Sequence, residues 1–361
     1  MGTKVRGVLA AVVIAAATVV GVGAAAPVAA AGGGGLEGVP HFDHIVVLTL
    51  ENESASTTFG PGSPATYLNG LRAQGVFVPG YYGTSHVSLP NYIAMVSGQL
   101  ANGVTNTDCA TVSLYVCAQT TTAFSNGRHL GDQLDASGLT WKAYLDSAPT
   151  PCFHGPYSTN PTDLLTPDPY QGNSQTPPAK DYADRHNPFV YFPNVVGNAS
   201  RCALHERPYG DLSVDLNGSG LPAFSFVTPD TCHDGHDATC SNGSPGGLVG
   251  ADQWLTSNVP PLLAYLQSHN GLLVINFDEG GTSAPGGTPD PNDYVCATCA
   301  SLGLGGRTGA ILLGAGVTAG KTASTSYDHY SLLRTVEDSF GIAEHLNQAN
   351  QAAPMLDVFA P

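Results

Sequence analysis

Three apolar runs in this chain end in side chains that can hold a cation. His44 to Leu50 runs into Glu51-Asn52, Ala223 to Thr228 into Pro229-Asp230, and Leu272 to Phe277 into Asp278-Glu279. Read as buried strands of a parallel sheet, they bring groups far apart in sequence to one rim, because open α/β sheets bind ligands at the carboxyl ends of their strands. Carboxylates gathered there repel one another unless a cation neutralises them or some keep their protons. One strand-end Asp is ordinarily a turn residue; three such ends point to a metal site. Asp230 is followed by Thr231-Cys232-His233-Asp234-Gly235-His236-Asp237, two histidines and two aspartates in seven residues. Neutral imidazole and carboxylate are first-row metal ligands.

The candidate nucleophile is Ser88, in Ser85-His86-Val87-Ser88-Leu89-Pro90-Asn91. Pro90 reads as the first residue of a helix extending to Ser97. A serine just before that start lies where free N–H groups and the helix dipole favour an anion, and a nearby cation would lower the pKa of its hydroxyl. The same position suits a plain N-cap, and the segment alone leaves the two open. His329, in Tyr327-Asp328-His329-Tyr330, precedes another helix start; by itself it reads as structural.

The elements that must position these groups alternate in type, which predicts an α/β fold with a mainly parallel sheet. Helices are expected over Ala65 to Gln74, Leu130 to Ser137, Asp252 to Ser268 (broken or kinked at Pro260-Pro261) and Tyr330 to Phe340. Further strands are expected over Thr140 to Leu145 and Ala310 to Leu313. Residues 148–217, dense in Pro, Asn, Asp and Tyr, read as long loops and not as a separate domain.

The first 31 residues read as a secretory signal peptide. Lys4 and Arg6 precede an apolar run to about Ala26, and Pro27 to Ala31 forms a small-residue cleavage site. Residues 32–361 are then one domain, secreted, with no stable membrane insertion. Eight cysteines in an exported chain predict disulfides. Proximity in sequence suggests Cys109–Cys117, Cys232–Cys240, Cys296–Cys299 and, by remainder, Cys152–Cys202. The formal net charge of −16 argues against nucleic acid as a partner. It would also repel a phosphorylated substrate unless bound cations reverse the local field.

Six segments, in order, resemble the bacterial phosphoesterase family of phospholipases C and secreted acid phosphatases, within the alkaline-phosphatase-like superfamily. They are Phe42 to Gly60 (FDHIVVLTLENESASTTFG), Ser85 to Gln99 (SHVSLPNYIAMVSGQ), His186 to Phe192 (HNPFVYF), Phe224 to Asp237 (FSFVTPDTCHDGHD), Val274 to Gly281 (VINFDEGG) and Asp328 to Ile342 (DHYSLLRTVEDSFGI). The resemblance implies an alkaline-phosphatase-like three-layer sandwich. It implies Glu51-Asn52 and Asp278-Glu279 as two metal-ligand pairs, with Asp230 as a partner. Ser88 becomes the phosphorylated nucleophile and a metal contact, His236 and His329 active-site histidines, and Asn91 and His186 substrate contacts. The cofactor is a divalent ion: Zn, Ca, Mg or Mn. The substrate is a phosphorylated small molecule or lipid headgroup, and the leading activity is an acid-phosphatase-like phosphomonoesterase working through a phosphoserine. The alternatives are a phospholipase C-type phosphodiesterase and a non-catalytic, cation-bearing secreted binding protein. Ser88 is followed by Leu89-Pro90-Asn91-Tyr92, without the Arg of the Cys/Ser-x-Pro-x-Arg setting of sulfatases.

Overall fold

The computed structural model describes residues 1–2, 35–109, 117, 127–155, 170–172, 180–280, 296, 299, 301 and 304–360. The expected signal peptide, apart from its first two residues, lies outside them. Gly34–Pro361 forms one compact unit. Among the described residues no helix is long and apolar enough to cross a membrane.

The strands are β1 (His44–Leu50), β2 (Val76–Val78), β3 (Tyr81–Tyr82), β4 (Trp141–Leu145), β5 (Glu206–Pro208), β6 (Phe224–Thr228), β7 (Gly271–Phe277), β8 (Ala310–Gly314), β9 (Lys321–Thr322) and β10 (Tyr327–Asp328). Eight form one sheet in the order β5-β4-β6-β1-β7-β8-β2-β9, and β3 pairs with β10 apart from it. Strand β1 lies between β6 and β7, parallel to both. Strand β8 is antiparallel to β7 and β2, so the sheet is mainly, not wholly, parallel.

The helices that matter for the site are α1 (Ala55–Phe59), α2 (Thr66–Leu71), α3 (Ser88–Ser97), α4 (Leu130–Ala136), α5 (Pro193–Val196), α6 (Ala199–His205), α7 (Gly210–Asn217), α8 (Gly247–Ser268) and α9 (His329–Ser339). They cover both faces of the sheet. Successive side chains of a strand point to opposite sides, and β1 shows the division. Ile45 and Val47 join Tyr92 and Ile93 of α3, Leu130 and Leu134 of α4, and Leu332, Leu333 and Val336 of α9 in one core. Val46, Leu48 and Leu50 join Leu68 and Leu71 of α2 and Leu255, Val259 and Leu262 of α8 in the other. Burial on both faces explains why β1 and β7 read as nearly unbroken apolar runs. The expected three-layer α/β sandwich is therefore the one observed.

Local departures have physical reasons. Helix α8 runs unbroken through Pro260 and Pro261. Both prolines are on its exposed face, where carbonyls that lose their N–H partners face water, while Val259, Leu262, Leu263 and Leu266 anchor the other side. The stretch 148–217 is not all loop: it holds α5, α6, α7 and β5, and β5 extends the sheet beside β4. Elements of three to eight residues are too short to show a period. All four expected disulfides are formed.

Candidate active site

Three loops meet where β1, β6 and β7 end, and backbone bonds stitch them together. Glu51 donates its N–H to the Asp234 carbonyl at 2.8 Å, and Asp278 donates to the Leu50 carbonyl at 2.9 Å. The Asn52 N–H donates to Asp278 Oδ1 at 3.0 Å. Asn52 adopts φ 56°, a left-handed turn that asparagine tolerates better than most residues. That turn leaves Glu51 fully buried at the strand end.

Ser88 is the first residue of α3 itself, two positions earlier than Pro90 suggested. Val87 precedes it with φ 68° and ψ 149°, an unfavourable conformation for a β-branched residue that must be held by its surroundings. Asn91 does the holding. Its Oδ1 accepts from Thr84 N at 2.8 Å, Thr84 Oγ1 at 3.0 Å and Ser85 N at 3.1 Å. Its Nδ2 donates to the carbonyls of Ser85 at 2.9 Å and Val87 at 3.0 Å. With its amide committed to this loop, Asn91 positions Ser88. Ser88 Oγ donates to Glu51 Oε2 at 2.9 Å. Asp108 Oδ1 accepts from Leu89 N at 2.9 Å, which caps the helix start.

Beside Ser88 lies a group of buried atoms with the chemistry of a cation site. His186 Nε2 is 3.3 Å from Glu51 Oε1, and its Nδ1 is 3.2 Å from Asp234 Oδ2. One ligand atom each from Glu51, His186 and Asp234 falls within 4.8 Å of the others. These approaches do not meet hydrogen-bond geometry: Glu51 Oε1, both His186 nitrogens, Asp234 Oδ2 and Asp278 Oδ2 are buried without a hydrogen-bond partner among the described residues. The His186 ring, 2% exposed, stacks on Tyr92 at 5.3 Å. Burial, then the charges of Asp278 and Asp234, holds the Glu51 carboxyl well above its ordinary pKa. Burial raises Asp234 and Asp278 likewise, and Glu279 adds to the effect on Asp278. Burial keeps His186 neutral. Orphaned oxygens around a neutral imidazole fit a divalent cation, which would satisfy the atoms and cancel the repulsion.

Glu279 turns to His86, its Oε2 2.5 Å from Nδ1, and burial followed by Asp108 pushes it up to about 8. Asp230 is not in the Glu51 group. Its Oδ1 accepts from the N–H groups of Cys232 and His233, both at 3.1 Å, and lies 2.8 Å from His233 Nδ1. Its Oδ2 accepts from Ser147 Oγ at 2.5 Å. Asp230 instead groups with Cys232 and His233, whereas Asp234, four residues on beyond the turn that starts the disulfide loop, groups with Glu51 and His186. His186, expected on the substrate, sits among the candidate ligands.

His236 Nδ1 is 2.6 Å from Asp237 Oδ1, its ring is 6.1 Å from that of His186, and its Nε2 is 3.4 Å from Arg185 Nη2. His329 is different. Its Nε2 meets the Asp278 carbonyl at 2.5 Å and its Nδ1 meets the Tyr81 hydroxyl at 3.0 Å. It is fully buried, and burial lowers its pKa to about 4. With both nitrogens occupied, it buttresses the end of β7. Asp234, Asp108, His86 and Arg185 were missed. Asp234 had a signal in its dense run and His86 in the segment around Ser88; Asp108 and Arg185 sit in loop sequence without a motif of their own.

A model of the phosphoesterase family matches residues 61–343. A probable acid phosphatase of Kluyveromyces lactis is 28% identical over 324 residues, which cover 88% of this chain and 63% of that protein. A phosphatidylinositol-3-phosphatase of Mycobacterium tuberculosis is 26% identical over 321 residues, covering 89% of this chain and 84% of the relative. This chain thus spans less than two thirds of the Kluyveromyces protein. Among solved structures, the murine ectonucleotide pyrophosphatase/phosphodiesterase 5 superposes with a TM-score of 0.50 at 8% identity, over 88% of this chain and 100% of the other. At that identity the likeness bears on the fold alone.

Proposed function

The chain belongs to the phosphoesterase family, and from that premise we propose that it is a secreted, metal-dependent phosphoric ester hydrolase of the acid-phosphatase kind. The observation that carries the reading is one strand-end cluster with two features. Ser88 Oγ lies 2.9 Å from Glu51, and Glu51, His186, Asp234 and Asp278 leave buried atoms without partners beside it. Glu51, His186 and Asp234 would hold a divalent cation, and Asn52, Asp278 and Glu279 line the same rim. When bound, such a cation withdraws charge from phosphoryl oxygens and makes a hydroxyl or water more acidic.

The chain's own residues then divide the work. Val87 and Asn91 aim Ser88 Oγ, and the hydroxyl directs its proton to Glu51 as the oxygen attacks phosphorus. The leaving oxygen takes a proton from His236 Nε2, with Asp237 fixing the ring through Nδ1. Water then gives a proton to His236 and attacks phosphorus, the Ser88 Oγ–P bond breaks, phosphate leaves, and Glu51 returns the proton to Ser88 Oγ. Four disulfides suit an oxidising, extracellular setting. A lipid headgroup monoester, the substrate class in the name of the mycobacterial relative, and a small phosphomonoester place the same group at this cluster.

The test is turnover of p-nitrophenyl phosphate beside p-nitrophenylphosphorylcholine, with and without chelator. The expected result is preference for the monoester, loss with chelator, and a fall of about 10³-fold or more in kcat for Ser88→Ala with Tm unchanged. Wild-type activity in Ser88→Ala would overturn the serine mechanism. Preference for the choline diester would favour the phospholipase C reading, and no turnover of either ester a binding protein.

A further inference from the structure

We propose that Arg185 receives the non-bridging oxygens of the phosphoryl group and thereby selects monoesters over diesters, an inference that rests on the phosphoesterase reading above. Arg185 precedes His186 in the turn Asp184–His186 and is 6% exposed. Its Nη1 donates to the Gln171 carbonyl, and its Nη2 lies 3.4 Å from His236 Nε2. Its charge is felt by Glu51, Asp108 and Asp234. A guanidinium in such company ordinarily closes on a carboxylate as a two-pronged ion pair. Among the described residues, Arg185 makes no ion pair with any of the three. Its placement is set instead by a neutral carbonyl and an imidazole, so among the described residues its charge is closed into no ion pair.

A phosphoryl group can use that charge. A phosphomonoester carries about −1.5 to −2 near neutral pH, spread over three non-bridging oxygens in the transferring group. A diester carries one negative charge on two oxygens. A fixed guanidinium, whose planar fork matches two phosphate oxygens, therefore gains more from the monoester. The contact with His236 Nε2 places this group beside the residue assigned to the leaving oxygen. Phosphoryl recognition and protonation of the leaving group would then converge at one point. Glu51, Asp234, Asp278 and Glu279 would otherwise repel the dianion. The cation and Arg185 counter them from two directions.

The experiment compares wild type, Arg185→Gln and Arg185→Lys on p-nitrophenyl phosphate and bis(p-nitrophenyl) phosphate. Calorimetry on the metal-loaded proteins measures the affinity for inorganic phosphate. The expected loss for Arg185→Gln is about 10²–10³-fold in monoester kcat/KM, under about tenfold for the diester, and about tenfold or more in phosphate affinity. Arg185→Lys, which keeps the charge and loses the fork, falls between, and it carries the test if the glutamine variant does not fold. Equal losses on both esters, or unchanged phosphate affinity, would overturn the proposal and leave Arg185 as a brace between Gln171 and His236. If wild type hydrolyses neither ester, the phosphoesterase reading fails by itself, and phosphate affinity still decides the role of Arg185.

Discussion

Two clusters of Asp, His and Ser stand at neighbouring strand ends, and they have opposite bookkeeping. In the first, after β4 and β6, Asp146 and Asp230 clamp His233 at 3.0 and 2.8 Å. Ser147 donates to Asp230, and Trp254 Nε1 donates to Asp146 at 3.1 Å. Hydrogen bonds to Asp146 and Asp230 push His233 up to about 10, so the imidazole and the two carboxylates are partners within the protein. In the second, Glu51, His186, Asp234 and Asp278 are buried with raised carboxyl pKa values and atoms left unpaired. The residue types are nearly the same. What separates a structural knot from a reactive cluster is whether the polar atoms find partners within the protein, because an unpaired buried group is held at a cost only when something else repays it.

The histidines give the comparison its hardest test. Both rings have partners on both nitrogens, but His236 is part-exposed beside Arg185, whereas His329 is fully buried between the Asp278 carbonyl and the Tyr81 hydroxyl. The expected outcome is that His236→Asn lowers kcat by about 10²–10⁴-fold with Tm preserved. His329→Asn should lower Tm first and leave a kcat within about tenfold of wild type in the folded fraction. Steady-state kinetics paired with thermal melts distinguishes the two, and equal rate losses at both histidines would break the division.

A smaller contrast is expected between Asp234 and Asp230, which are four residues apart. Asp234→Asn should weaken metal binding by about 10–100-fold, read by titrating metal into chelator-stripped protein. Asp230→Asn should leave that affinity near wild type and cost about 1–3 kcal/mol of stability, read by denaturant unfolding. Loss of metal from the Asp230 variant alone would mean that the two clusters are assigned the wrong way round.

The smallest effect comes from a buried acid outside both clusters. Glu337 accepts from Leu346 N at 2.9 Å, leaves Oε2 without a partner, and is pushed by burial up to about 8. A carboxyl raised in the folded state contributes stability below its unfolded value of about 4.5, and that contribution is lost as pH rises through about 8. Glu337→Gln should therefore flatten the alkaline decline by about 2–4 °C in Tm and leave the metal titration unchanged. His129 has the opposite sign: burial lowers it to about 4, so its contribution is present above about 6.5 and lost as pH falls through about 4. A Tm profile of Glu337→Gln that parallels wild type from pH 5 to 9 would refute the assignment for Glu337.

The sequence by itself determined the sandwich and the neighbourhood of the site. The apolar runs at His44 to Leu50, Ala223 to Thr228 and Leu272 to Phe277 read as strands buried on both faces and are so observed, and strands of that kind present whatever follows them at one rim. Glu51, Asn52, Asp278 and the Asp230–Asp237 run stood out for that reason, while Ser88, open between nucleophile and N-cap in its own segment, was singled out by the family resemblance. Disulfide partners were legible because three of the four pairs are eight residues apart or fewer. Tertiary structure alone decided which polar atoms of these groups have partners. Asp230 and Asp234, His329 and His236, and Asn91 and Ser88 are chemically eligible in pairs. Each choice turned on partners such as Ser147, Tyr81 and Thr84, or on Arg185 arriving from a loop with no periodic signal. A polar atom's availability is a property of the atoms around it in space, and those come from elements separated by up to hundreds of residues.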